Sequence, residues 1–280
     1  MERQNISYNQ SSFSYLTGGK GNKVLLCLHG FGEEAETFSF LEKYVSDVYT
    51  VYAIDLPWHG ETKWKNKLTF PVKDLIGLLE QMIPDFNNRS IQLLCFSMGG
   101  RVGLSLLERI PQKIEKSVLL APDGLKVNGW YWLATQTWLG NGLFKYTMQH
   151  PYWFGFFVDQ MNRRKWVNSG VAKYVHRYID EQKVRDDLYR IWTTMRKFRP
   201  NLQQIKRDLA EHKTSLHLVF GTFDRVIPAK NGYRFQKESK EWIHVHELQS
   251  GHRLLTEKHA AFIISLLASP LTPSPKREGA

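Results

Sequence analysis

The chain has 280 residues, a hydrophobic content of 42% and a formal charge of +11. That is too apolar for a disordered chain and enough for a substantial core. With only two cysteines it is not a disulfide scaffold, and its densest apolar-aromatic run, Trp153 to Val158, is too short to span a bilayer. A pI near 9.5 suggests an anionic substrate, a nucleic acid or an acidic membrane surface as partner. None of the nucleic-acid motifs is present and the basic residues are scattered among aromatics, so no nucleic-acid partner is expected. Cys27 and Cys95 lie in apolar, strand-like runs and read as buried thiols in a reducing compartment. Met1 to Gln10 is polar and lacks the apolar core of a signal peptide. These features predict a cytoplasmic chain without a transmembrane segment; no pattern assigns an oligomeric state.

In chain order, Ile6-Ser7-Tyr8 and Phe13 to Leu16 alternate, and with a turn at Gly18-Gly19 they predict an antiparallel edge. Val24 to Leu28 is a continuous apolar run, as expected for a strand covered on both faces, and it ends in His29-Gly30-Phe31-Gly32. A helix is predicted over Ala35 to Val45, then a strand over Val48 to Ile54 that runs into Asp55 to Gly60. Pro71 opens a helix that reaches Ile83. Ile91 to Phe96 is a strand and Met98 to Ile110 a helix, with Ser97 at the junction. Ser117 to Leu120 is a further strand, followed by Ala121-Pro122-Asp123-Gly124. Strands and helices alternating at this spacing predict an α/β fold: a mostly parallel twisted sheet flanked by helices.

The pattern changes over residues 124–205, which hold six of the nine tryptophans and 13 Lys and Arg against 5 Asp and Glu, a net +8. This stretch reads as an inserted helical cap, with the core formed by residues 1–123 and 206–269. Strands return at Leu216 to Phe220 and Trp242 to Leu248, a helix closes the core over Glu257 to Leu267, and the Pro-rich, charged tail 270–280 is expected to be disordered.

The chemistry centres on Leu93 to Arg101. A serine between a buried strand and a helix, followed by Met98-Gly99-Gly100, matches the nucleophile elbow G-x-S-x-G, with Cys95 in the first glycine position. Asp224, in Gly221-x-x-Asp224-x-x-x-Pro228, follows one later strand, and Ser250-Gly251-His252 follows the next. Both lie at the C-terminal sheet edge, where open α/β sheets build their sites. The order Ser97, Asp224, His252 is that of one of the known serine triads.

With His29 to Gly32, Asp55 to Gly60, Ser97 to Gly100, Gly221 to Pro228 and Gly251-His252 in this order, residues 4–268 resemble the α/β-hydrolase family with a helical cap. The resemblance implies Ser97 as nucleophile, His252 as general base and Asp224 as the acid that orients it. It also implies an oxyanion hole built from the backbone N–H groups of Met98 and Phe31. Cys95, and Trp58 where glycine is common before His59-Gly60, depart from the family pattern. A carboxylic ester hydrolase working through an acyl-enzyme on a small-molecule substrate is the expectation, with no cofactor and no metal.

Several residues admit two readings. Asp224 is either the triad acid or an aspartate capping its own turn. Asp123 competes with it, because it also follows a strand on the same edge. His29 and His59 read as structural. Arg101 sits four residues after Ser97, in the first turns of a helix whose dipole disfavours it, and so calls for an acidic partner, from the protein or from the substrate. Ser97-Met98-Gly99-Gly100-Arg101 is similar to the segment of the menaquinone-pathway lyase branch, so an elimination on a polycarboxylate is the alternative chemistry; a non-catalytic binding module is the third. Phe96 and Trp153, with Arg101, are candidate substrate contacts, and a basic, Trp-rich helical surface also suits peripheral contact with anionic lipid.

Overall fold

The computed structural model describes residues 1–65, 69–126, 129–166 and 179–269, so the tail 270–280 lies outside the described residues. The chain divides into two compact units: Met1–Asn66, Pro71–Lys126 and Phe198–Ala280 form the first, Lys67–Phe70 and Val127–Lys197 the second. Within the first unit the strands are β1 (Glu2–Tyr8), β2 (Ser11–Gly18), β3 (Lys23–Leu28), β4 (Tyr49–Ile54), β5 (Ile91–Phe96), β6 (Ile114–Leu120), β7 (Ser215–Gly221) and β8 (Ile243–Leu248). They form one sheet in the order β1-β2-β4-β3-β5-β6-β7-β8. β1 and β2 pair antiparallel and β2 meets β4 antiparallel; from β4 to β8 every pairing is parallel.

Among the described residues the α-helices in chain order are α1 (Glu42–Val45), α2 (Val72–Met82), α3 (Met98–Arg109), α4 (Gly129–Gln136), α5 (Trp138–Gln149), α6 (Tyr152–Arg163), α7 (Gln182–Thr194), α8 (Leu202–Glu211), α9 (Lys230–Gln236) and α10 (Ala260–Ala268). Helices α4 to α7 belong to the second unit. Phe38, Leu41, Val45, Ile263 and Leu266 cover one sheet face by packing on Leu25, Val51, Leu94 and Val118. Helix α3 lies on the other face, where its Gly103 meets Cys95, the next residue of β5 after Leu94. This double cover is why Val24–Leu28 of β3 and Leu93–Phe96 of β5 are continuous apolar runs.

One expectation needs correction and one turn is added. β1 and β2 form the expected antiparallel edge, β2 ends at Gly18 with Gly19 at φ 85, and the hairpin turn that joins β1 to β2 is Asn9-Gln10, at φ 44 and 64. Of the two-residue hairpin turns that follow the strand twist, type I′ needs positive φ at both positions, and Asn is among the few side chains that tolerate it. The helix expected over Ala35 to Val45 is a 3₁₀ run, Ala35–Leu41, that becomes α-helical only for Glu42–Val45. Its start is pinned by the buried Asp55, whose Oδ1 accepts from the Ala35 N–H at 2.6 Å. Arg3, on the edge strand, donates to the same carboxylate at 2.8 Å.

β7 and β8 also carry a histidine cluster. The His217 ring stacks on His244 and His246 at 4.9 and 5.4 Å. Burial, with His244, His246 and Lys116 nearby, pushes the His217 pKa down to about 3. The ring is therefore neutral in the fold, while the unfolded chain takes up a proton near the usual 6.5. Stability must then fall as pH drops from 6.5 toward 3, by up to about 1.4 kcal/mol per pH unit for one such proton. Urea midpoints measured across that range are expected to fall less steeply in His217→Gln; an unchanged slope would separate His217 from the acid lability.

Candidate active site

The elbow is set by local geometry. Ser97 has φ 50 and ψ −113, a region L residues avoid, at a cost on the order of 1–3 kcal/mol. Backbone hydrogen bonds hold it there. The Ser97 N–H donates to Leu120 O at 2.9 Å, and the Ser97 carbonyl accepts from the Gly100 and Asp123 N–H groups, both at 2.9 Å. A Cβ on Gly99 would lie 2.1 Å from Leu28 O, so only glycine lets α3 start this close to β3.

The same logic accounts for Cys95. A Cβ on Gly103, along α3, would lie 2.7 Å from Cys95 Sγ but 3.6 Å from Cys95 Cβ. The room that the motif finds in its first glycine is supplied here by the helix. Gly103→Ala is therefore expected to cost about 1–3 kcal/mol of stability, most of it recovered when Cys95→Ala is added. Urea melts of the four proteins measure the coupling, and strictly additive effects would rule it out.

Asp224 and His252 come from the loops after β7 and β8, and backbone bonds knit the two loops together. Thr222 N–H donates to Leu248 O at 2.9 Å and Phe223 N–H to Ser250 O at 3.0 Å. His252 Nδ1 lies 2.7 Å from Asp224 Oδ2, and His252 Nε2 lies 3.0 Å from Ser97 Oγ. The Asp224 side chain is fully buried. Its Oδ1 accepts from the Val226 and Ile227 N–H groups at 2.7 and 3.0 Å. The turn-capping reading and the histidine-partner reading of Asp224 are thus compatible, because each uses a different oxygen. Burial opposes ionisation of this carboxyl, but the hydrogen bonds from His252, Ile227 and Val226 outweigh it and hold the pKa below the usual range.

Asp123 is engaged elsewhere. Its Oδ2 pairs with Arg101, whose Nε lies 3.0 Å away, and its Oδ1 accepts from the Gly124 N–H at 2.7 Å. The acidic partner that Arg101 requires is thus a protein carboxylate. Phe96 is buried with its ring 5.3 Å from that of His252, so it backs the imidazole. Trp153 lies in the second unit, on α6, with its ring 5.6 Å from Phe154.

The loop carrying Phe31 is held rigidly. His29 is buried; its Nδ1 lies 2.8 Å from Gly30 O, and its Nε2 accepts from the Leu56 N–H at 3.0 Å. That pattern fixes the neutral Nδ1–H tautomer, and burial with His59 alongside pushes the pKa well down. Gly30 backs onto the Phe96 ring and Ser97, so this loop runs beside the elbow. Met98 provides the first N–H of α3. Trp58 has φ 68, which explains why glycine is the easier residue there. Glu33 escaped the sequence reading, its only signal being its place two residues after Phe31. Its Oε2 is buried with no hydrogen-bond partner among the described residues, and burial raises its pKa despite Arg253 and His252 nearby.

A mostly parallel sheet of this strand order, with a strained serine following its central strand β5, defines the α/β-hydrolase class. The alpha/beta hydrolase family model matches residues 25–264, and the chain belongs to that family of enzymes. It is 22% identical over 248 residues to "Uncharacterized hydrolase YugF" of Bacillus subtilis (strain 168), covering 85% of this chain and 86% of that one. Over 118 residues it is 29% identical to the "Putative 2-succinyl-6-hydroxy-2,4-cyclohexadiene-1-carboxylate synthase" of the same organism, covering 40% of this chain and 41% of that one. MGS-M2, an alpha/beta hydrolase enzyme from a Medee basin deep-sea metagenome library, superposes with a TM-score of 0.67 at 15% identity, covering 97% of this chain and 100% of that one. Among the described residues no helix is long and apolar enough to cross a membrane, and no cluster of His, Cys, Asp or Glu could hold a metal ion.

Proposed function

We propose that the chain is a serine hydrolase that cleaves a small or medium carboxylic ester through an acyl-enzyme. One observation carries the reading: a single imidazole, His252, reaches Ser97 Oγ at 3.0 Å with one nitrogen and Asp224 Oδ2 at 2.7 Å with the other. A neutral serine hydroxyl is a weak nucleophile, so a base within hydrogen-bond reach is required. His252 Nε2 takes the Ser97 proton as Oγ bonds to the ester carbonyl carbon. Asp224 holds the proton on Nδ1 and stabilises the imidazolium. The negative charge that develops on the carbonyl oxygen is met by the Met98 and Phe31 N–H groups and by the N-terminus of α3. The imidazolium then protonates the departing alkoxide. Water, deprotonated by the same histidine, releases the acid and restores Ser97.

The lyase reading drew on Arg101 as a substrate clamp and gains support from the synthase relative. The pairing of Arg101 with Asp123 weakens it, because that guanidinium is already matched by a carboxylate of the chain. The deciding experiment is a rapid-quench reaction with a nitrophenyl ester series of increasing acyl length. A stoichiometric burst of nitrophenolate is expected, with the acyl mass on the Ser97 peptide. Elimination from a polycarboxylate with no acyl adduct would replace this reading with the lyase.

A further inference from the structure

Helix α6 is apolar on the side it turns to solvent. Gly155 and Val158 are its buried residues. On the opposite arc lie Tyr152, Phe156 and Phe157, exposed to 90%, 66% and 53%, with Trp153 beside them. The same arc ends in exposed Arg163, followed by Arg164 and Lys165. Trp166 comes next, its ring 5.5 Å from the Arg164 guanidinium. Helix α5 repeats the inversion. Thr147 and Met148 are buried, while Trp138, Leu139, Leu143 and Tyr146 face outward. Single exposed apolar residues are ordinary; two successive helices with apolar outer faces are not.

Charge selects the occupant. Residues 138–166, which contain both helices, hold Lys145, Arg163, Arg164 and Lys165 against Asp159, a net +3, so a second copy of this face would set like charge against like. Nucleic acid matches the sign but not the outward leucines, which have no base or phosphate to meet. An anionic bilayer matches both. Trp and Tyr favour the headgroup level, Phe and Leu the acyl boundary, and Arg and Lys the lipid phosphates. We propose that the outer faces of α5 and α6 seat this protein on an anionic phospholipid surface. The proposal concerns the second unit alone and does not rest on the ester chemistry.

The test uses the full chain with phosphatidylcholine vesicles prepared with and without phosphatidylglycerol. Co-sedimentation and a blue shift of tryptophan emission are the readouts, and circular dichroism checks that each variant is folded. Binding is expected only to the anionic vesicles and should weaken in high salt. Phe156→Ser with Phe157→Ser should lower the partition coefficient about tenfold or more. Arg163→Gln with Arg164→Gln should lower it about fivefold per cation removed. Equal binding to neutral vesicles, or folded variants that bind like the parent, would overturn the proposal. So would absence of vesicle binding combined with concentration-dependent dimerisation, or with retention on single-stranded RNA.

Discussion

Ser97→Ala is expected to lower ester turnover by a factor on the order of 10⁴ or more while leaving the fold intact. The substitution removes the attacking atom and nothing that holds the elbow. The three bonds that fix this turn all use the Ser97 backbone. Alanine keeps the Cβ and therefore the same unfavourable φ of 50, so the stability change should be small. His252 loses a hydrogen-bond partner but keeps Asp224, and the ring is already backed by Phe96. The N–H groups at the start of α3 remain, so a residue of catalysis over water should survive. The measurement is kcat/KM on the nitrophenyl series beside a urea melt of the same protein. Near-parental turnover in the variant would remove Ser97 from the mechanism, and collapse of the melt would show that the hydroxyl supports the fold instead.

The fold was legible because its signals are periodic and local. Val24 to Leu28 reads as a doubly covered strand and Ile91 to Phe96 as a strand, and the structure pairs the two in parallel register. The elbow was legible because one short segment carries the strand, the turn and the helix start. What escaped was decided by contacts that no single periodic run displays. The Asn9-Gln10 turn has no glycine, and its positive φ values follow from the pairing of β1 with β2. Cys95 read as a defect because Gly103, the residue that makes room for it, lies in the following helix. Arg101 asked for a carboxylate, but nothing in the sequence said whether Asp123 or a substrate would supply it. Glu33 gave no periodic or motif signal at all, and its interest comes only from burial close to His252.

The order of damage between Asp224→Asn and Asp123→Asn follows from which atoms each carboxylate uses. In Asp224→Asn the amide must choose an orientation. Its oxygen is required by the Val226 and Ile227 N–H groups, which now meet Oδ1 at 2.7 and 3.0 Å. The NH₂ group is thereby turned toward His252 Nδ1, where the carboxylate oxygen stood. A donor facing Nδ1–H is untenable, so the imidazole moves its proton to Nε2. In that tautomer it cannot accept the proton of Ser97, and turnover should fall by about 10⁴ with the backbone little changed. The lost negative charge also matters for stability. The Asp224 carboxyl is held below its usual 3.8, so its contribution is present above that pH and disappears as pH falls through the lowered value. Asp123→Asn, by contrast, removes the charge that matches Arg101 and should cost about 1–3 kcal/mol of stability with less than about a tenfold change in kcat/KM. Measuring kcat/KM and urea midpoints on both variants separates the two roles. If Asp123→Asn were the more damaging to turnover, the acid of the site would have to be reassigned and Arg101 returned to the substrate. If the ranking holds, the pair Asp123–Arg101 acts as a brace on the turn after β6, which also donates the Asp123 N–H to the Ser97 carbonyl. The elbow is then braced through Asp123 and driven through Asp224, by two carboxylates from successive strand ends of the same sheet.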